Sequence, residues 1–189
     1  MKKGNIIFLN GVSSSGKTTL VKALQAQLDE PYHLFNVDVF TGKMVDKEKL
    51  LSGKFGMDWF YKALSGFHHT IKLYSDMGIN IIVDHVMLKI NKAMPECVRL
   101  LHEYPVILVH VTCPLDELQH RERKRCDRPI GLSESQLADL EPQDIYDIVI
   151  DTYKNTQVEC VNKIIEALKS IEATTAFKKL WSQQQSFFQ

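Results

Sequence analysis

The most constraining stretch of this chain is Gly11-Val12-Ser13-Ser14-Ser15-Gly16-Lys17-Thr18, which matches G-x-x-x-x-G-K-S/T at every fixed position. Its flanks constrain the fold as much as the match does. Asn5 to Asn10 contains the run Ile6-Ile7-Phe8-Leu9, the pattern of a strand buried on both faces. Beyond the loop, Leu20, Val21, Leu24 and Leu28 recur at helical spacing until Pro31 closes the segment. In that setting two glycines let the backbone curl so that successive N–H groups face one anion, and the helix that follows adds its positive N-terminal dipole. Gly11, Ser13, Ser14, Ser15, Gly16, Lys17, Thr18 and Thr19 are therefore the expected phosphate-binding set. Lys17 supplies a point charge for β- and γ-phosphates, and the Thr18 hydroxyl is suited to ligate Mg²⁺, so ATP with Mg²⁺ is the expected ligand.

The rest of the chain alternates apolar runs with helical periodicities, the signal of βα units building a parallel sheet, and the fold class is α/β. Further strands are predicted at Tyr32 to Asp38, Ile79 to Asp84, Val106 to Val111 and Ile145 to Ile150. A helix-rich insertion runs from Val39 to Met77, with Phe60, Leu64, Phe67 and Ile71 on one face and Gly78 as its C-cap. Helices are expected around Lys92 to His102, Leu115 to Lys124 and Asn155 to Ile171. A length of 189 residues suits one core rather than two. The expected domain covers residues 1–172, followed by a tail over 173–189. In that tail Phe177, Leu180 and Trp181 could add a helical turn to the core, and Gln183 onward is expected to fray.

Charge narrows the partners. With 23 basic and 23 acidic residues the formal net charge is zero, which removes the electrostatic reason to expect nucleic-acid or anionic-membrane binding. A compact small molecule is the expected partner; the oligomeric state is not legible. Cys97, Cys113, Cys126 and Cys160 form no C-x-x-C pair, so reduced thiols are expected rather than zinc or redox chemistry. The apolar run after Met1-Lys2-Lys3-Gly4 is too short for a signal h-region, and no stretch approaches the ~18 apolar residues of a membrane span. A cytoplasmic location is expected.

In parallel sheets ligands sit at the carboxyl ends of the strands, so acids there point at the phosphate site. Asp38 follows Leu34-Phe35-Asn36-Val37, and Asp84 follows Ile81-Ile82-Val83. Either could deprotonate an acceptor hydroxyl or hold a Mg²⁺ water. Arg121, Arg123, Lys124, Arg125 and Arg128 place five cations within eight residues before Pro129, the composition of a lid over a triphosphate. Phe40, Met44, Phe55, Trp59 and Phe60 lie between the two acids and could line an apolar acceptor pocket. The histidines, His68-His69 among them, have no ligand-like spacing with the cysteines.

With these residues in view, the chain resembles the chloramphenicol phosphotransferase-like family of P-loop kinases. The resemblance covers roughly Ile6 to Ile165. It is carried by the P-loop with its preceding strand, Asn36-Val37-Asp38, Ile82-Val83-Asp84, Arg121-Glu122 with Arg125, Asp127-Arg128 and Gly131, and Tyr146-Asp147 with Asp151-Thr152. It implies a three-layer P-loop NTPase-type fold with a five-stranded parallel sheet, an Arg-rich lid, and ATP-dependent phosphorylation of a hydroxyl. By that likeness Asp38 matches the family's catalytic base, and Arg125 and Arg128 match lid residues; the residues themselves add Lys17 on the phosphates and Thr18 with Asp84 as the expected metal set. The chain departs from the family pattern at Val39 and His85, beside the expected acceptor pocket. A nucleoside or nucleotide-type kinase and a slowly hydrolysing regulatory module are the alternatives; the N-K-x-D motif of a GTPase is missing from the sequence.

Overall fold

A computed structural model describes residues 2–43, 46, 49, 56–125, 129–142 and 144–186. Five strands, β1 (Ile6–Asn10), β2 (His33–Asn36), β3 (Ile81–His85), β4 (Val106–Thr112) and β5 (Ile148–Asp151), form one sheet in the order β2-β3-β1-β4-β5. Every pairing in it is parallel. The described helices are α1 (Lys17–Gln27), α2 (Gly56–Asp76), α3 (Ala93–Leu101), α4 (Leu115–Arg125), α5 (Leu132–Leu137), α6 (Gln157–Leu168) and α7 (Ala176–Ser186).

Strand β1 lies at the centre and is buried throughout, which explains its unbroken apolar run. Its side chains alternate between two cores. Ile6 and Phe8 join Phe67, Ile71, Cys97, Val98, Leu101 and Phe177, the inner faces of α2, α3 and α7. Ile7 and Leu9 join Leu20, Leu24, Val161 and Ile164, the inner faces of α1 and α6. The result is a helix–sheet–helix sandwich. Leu9 pairs with Asp84 and Asn10 with His85, so the loop leaving β1 emerges beside the acid that nearly ends β3.

Several element ends have local causes. Helix α2 stops in a Schellman motif: Ile79 N–H donates to Tyr74 O, Gly78 N–H donates to Ser75 O, and Gly78 takes φ +78. Helix α6 starts with a capping box between Thr156 and Glu159. Strand β2 is shorter than its sequence suggests. It ends at Asn36 because the Asn36 side chain accepts the Val39 N–H at 3.0 Å and turns the chain. Val37 and Asp38 consequently lie on a helical turn that widens into Val39–Lys43.

Beyond α6 the tail is helical through Ser186, past the Gln183 at which fraying was expected. Phe177 and Leu180 are buried, and Trp181 stacks on His102 with ring centroids 4.4 Å apart. Cys97, Cys113 and Cys160 are buried free thiols; Cys126 lies outside the described residues. Among the described residues no helix is long and apolar enough to cross a membrane.

Candidate active site

The loop between β1 and α1 is shaped as an anion cradle. A side chain at Gly11 would lie 2.2 Å from Val111 O, so only glycine lets the loop leave β1 this close to β4. Ser14 (φ 62) and Gly16 (φ 99) adopt left-handed backbone, which turns successive N–H groups toward one point. The first bond of α1 runs from Leu20 N–H to Gly16 O. The N–H groups of Thr18 and Thr19 precede it and have no intrahelical partner. Ser13 through Leu20 line a cavity of about 560 Å³. The hydroxyls of Ser14 and Ser15 are buried with no hydrogen-bond partner, a costly arrangement that a phosphate oxygen would relieve.

Lys17 is buried against this loop. Its ammonium donates to Gly11 O at 2.8 Å and Val12 O at 3.0 Å, and lies 3.8 Å from Asp84 Oδ1. The other Asp84 oxygen accepts from Asn36 Nδ2 at 3.0 Å. Asn36 therefore fixes both the Asp84 carboxylate and the turn carrying Asp38. Asp38 is exposed and lines the same cavity as Lys17 and Asp84.

The opposite wall comes from α4 and the residues after β5. Arg121 Nη1 donates to Thr152 Oγ1 at 3.0 Å, and its Nη2 donates to Thr152 O at 3.3 Å. Thr152 Oγ1 in turn donates to Ser15 O at 2.7 Å, so α4 and β5 clamp the loop from outside. Glu122 is buried at 2 % exposure and accepts the N–H groups of Gly131 (3.0 Å) and Ser133 (2.6 Å), tying α4 to α5. Gln136 on α5 reaches the loop directly: its Oε1 accepts the Ser13 N–H at 2.7 Å.

A parallel sheet in this strand order, with an anion cradle after β1 and acids beyond β2 and β3, is joined here by a family match: the chloramphenicol phosphotransferase-like proteins match residues 4–169. The chain belongs to that family. It is 25 % identical to a Mycobacterium tuberculosis protein provisionally named an O-phosphotransferase, over 95 % of this chain and 89 % of that one. It is 26 % identical to an adenylyl-sulfate kinase of Clostridium acetobutylicum, over 89 % of this chain and 84 % of that one. Shikimate kinase from Acinetobacter baumannii, solved with shikimate, shares the fold at a TM-score of 0.65 and 16 % identity, covering 92 % of this chain and 97 % of that one. The fold is that of a P-loop kinase.

In this chloramphenicol phosphotransferase-like chain the expected phosphate residues Ser13 to Thr19 all line one cavity, together with Asp38, Asp84 and Arg125. Arg128, Met44 and Phe55 lie outside the described residues, and Arg125 and Lys124 are exposed at the cavity rim. Phe40 and Phe60 pack partly against the core on α2, with Phe40 edge-on to Phe67 at 5.5 Å, so they serve the core as well as any pocket. The sequence reading counted Arg121 among the lid cations, whereas its guanidinium is bonded to Glu117 and Thr152; it assigned no roles to Thr152, Asn36 or Gln136. The last carries no local motif, and its partner is 123 positions away.

His85 turns away from the cavity into the core. Its Nε2 is 3.0 Å from His68 Nε2, and His68 Nδ1 is 2.6 Å from Glu96 Oε2. Ser65 Oγ donates to the other Glu96 oxygen at 2.6 Å. The hydrogen bond from His68 holds the Glu96 carboxyl down at about 2, whereas burial, and next the facing His68, push His85 well below the ordinary imidazole value.

Proposed function

We propose that the protein transfers the γ-phosphate of ATP to a hydroxyl of a small molecule, with Asp38 as the base that takes the hydroxyl proton. The observation that carries this reading is the convergence of the anion cradle, Lys17, Asp38 and Asp84 on one cavity of about 560 Å³. The residues fit a triphosphate: buried unpartnered hydroxyls at Ser14 and Ser15, helix-start N–H groups, and a lysine held at the head of the loop. They also fit Mg²⁺, for which Thr18 and Asp84 are the candidate ligands in the same cavity. Among the described residues no three His, Cys, Asp or Glu side chains cluster as a metal site. When bound, Mg²⁺ would offset charge on the triphosphate.

In the reaction the acceptor oxygen bonds to the γ-phosphorus as the bond to the β–γ bridging oxygen breaks. The hydroxyl proton passes to Asp38. Lys17 offsets the charge carried by the phosphoryl oxygens, and Asn36 keeps the Asp38 turn in place. From Val39 to Asp84 the chain contains no arginine, which favours a neutral acceptor over a phosphorylated one. The adenylyl-sulfate kinase relative favours a nucleotide-type acceptor, and this is the second reading.

The test is ADP release from Mg²⁺-ATP with a panel of neutral hydroxyl compounds, chloramphenicol first. Stimulation by a neutral compound supports the proposal. Stimulation only by nucleotides or sugar phosphates replaces it with the second reading, and no stimulation by any acceptor points to a regulatory ATPase.

A further inference from the structure

We propose that Gln136 is a positioning residue for Lys17, acting through the peptide unit between Val12 and Ser13; the inference rests on the kinase reading above. One peptide unit carries both contacts. Its carbonyl, Val12 O, accepts from Lys17 Nζ at 3.0 Å, and its N–H, on Ser13, donates to Gln136 Oε1 at 2.7 Å. The unit is trans, so its C=O and N–H point in opposite directions. The plane is therefore gripped on one side by the lysine and on the other by the carboxamide. Ser15 N–H also donates to Val12 O, at 3.3 Å, and a rotation of that plane would carry Val12 O away from the ammonium, removing one of the contacts that aim Lys17.

The carboxamide is presented by an anchored element. Glu122 fixes the start of α5 through Gly131 and Ser133. Leu137 and Leu140, just after Gln136, pack with Val12, Cys113 and Leu118. Lys89 N–H donates to Asp139 O, and Glu141 N–H donates to Met87 O, both at 2.8 Å, which binds the following residues to the loop after β3. Gln136 thus joins three bodies, α4–α5, the loop after β3 and the phosphate loop, at the peptide that aims the lysine. The chemistry required of position 136 is a hydrogen-bond acceptor at glutamine's reach. Its donor group is not needed.

That requirement defines the test on the full chain. Gln136→Met keeps the length and removes the acceptor, and Gln136→Glu keeps an acceptor at the same reach. The readouts are kcat and KM for Mg²⁺-ATP hydrolysis with water as acceptor, calorimetric affinities for ATP and ADP, and the melting temperature. For Gln136→Met we expect kcat to fall about tenfold, the scale of one misplaced charge-assisted hydrogen bond. The preference for ATP over ADP should fall with it, while melting falls by only roughly 2 to 6 °C, the cost of one N–H that loses its acceptor beside the cavity. Gln136→Glu should recover most of the loss.

Unchanged kcat in Gln136→Met overturns the proposal, as does an equal defect in Gln136→Glu. A collapse of melting temperature in Gln136→Met, with ATP and ADP affinity falling together, also overturns it, because the bond would then serve the fold alone. Failure of the kinase reading is visible separately, in an unsubstituted protein that binds neither nucleotide or whose ADP release no hydroxyl acceptor stimulates.

Discussion

Asp38 and Asp84 line one cavity, but their surroundings differ. Asp84 is nearly buried, with one oxygen near Lys17 and the other taken by Asn36, whereas Asp38 is exposed on the turn beyond β2. A base must reach a substrate hydroxyl, so the accessible carboxylate suits that task. Asp38→Asn should lower turnover by roughly 10²- to 10⁴-fold with ATP affinity nearly unchanged, as steady-state kinetics and calorimetry would show; a mild Asp38→Asn beside a crippled Asp84→Asn would reverse the roles. The His85 pair makes a separate prediction in pH. With its folded value depressed and its unfolded value near 6.5, His85 binds fewer protons folded than unfolded, so stability is full above pH ~6.5 and falls as the pH drops below it. The Glu96 carboxylate acts lower: its contribution is present above 4.5 and is lost only as pH falls toward about 2. Melting curves between pH ~7.5 and ~5 should therefore show a decline that is shallower in His85→Gln. At this scale the sequence was legible where the cavity lining is contiguous, as from Ser13 to Thr19. Arg121 with Thr152, 31 positions apart, and Ser13 with Gln136, 123 apart, are juxtaposed by the sheet order, which no local pattern encodes.

Elements were easier to read than their ends. The continuous apolar runs of β1, β3 and β4 and the helical spacing of α1, α2 and α6 mark their own centres, because strands buried on both faces and amphipathic helices have distinct periods. Their limits depend on side chains that reach the backbone, such as Asn36 at the end of β2. The C-terminal helix shows the same physics at long range. Asp147, just ahead of β5, accepts the N–H groups of Thr175 (2.8 Å) and Ala176 (3.0 Å) at the start of α7 with one oxygen. Its other oxygen accepts Leu108 N–H of β4 at 2.9 Å. One carboxylate thus caps a helix and pins it to the sheet, which is why α7 docks although its sequence offers only a short apolar stripe. Asp147→Ala should cost about 2–3 kcal/mol in urea unfolding, while Asp147→Asn, which keeps an acceptor, should lose markedly less. Equal losses would mean that both oxygens must accept, because asparagine turns its NH₂ toward Leu108 or toward the start of α7.

At the scale of the molecule, the cradle lies between the α1–α6 core and a smaller apolar cluster beside α4. Val12 packs with α4 and the segment after α5, Leu20 with the α1–α6 side, and Asn10 at the end of β1 accepts the Met87 N–H and donates to Tyr146 Oη. A ligand that fills the cavity would touch the phosphate loop, α1, the ends of β2 and β3, α4 and the residues after β5, all of which come apart on unfolding. Linkage then requires Mg²⁺-ATP to stabilise the whole domain, by about 2.7 kcal/mol at a hundred times its dissociation constant, or roughly 5 to 10 °C of melting temperature for a chain of this size. Lys17→Ala should abolish most of that shift. It should leave the ligand-free melting temperature nearly unchanged, because Lys17 contacts loop carbonyls and Asp84 at the cavity rather than apolar core. Asp84 keeps Asn36 as a partner in that variant, and the cavity gives its freed oxygen access to water. Differential scanning fluorimetry with and without Mg²⁺-ATP measures both quantities in one experiment. A shift of equal size in Lys17→Ala would place the nucleotide elsewhere and remove the cradle from the mechanism.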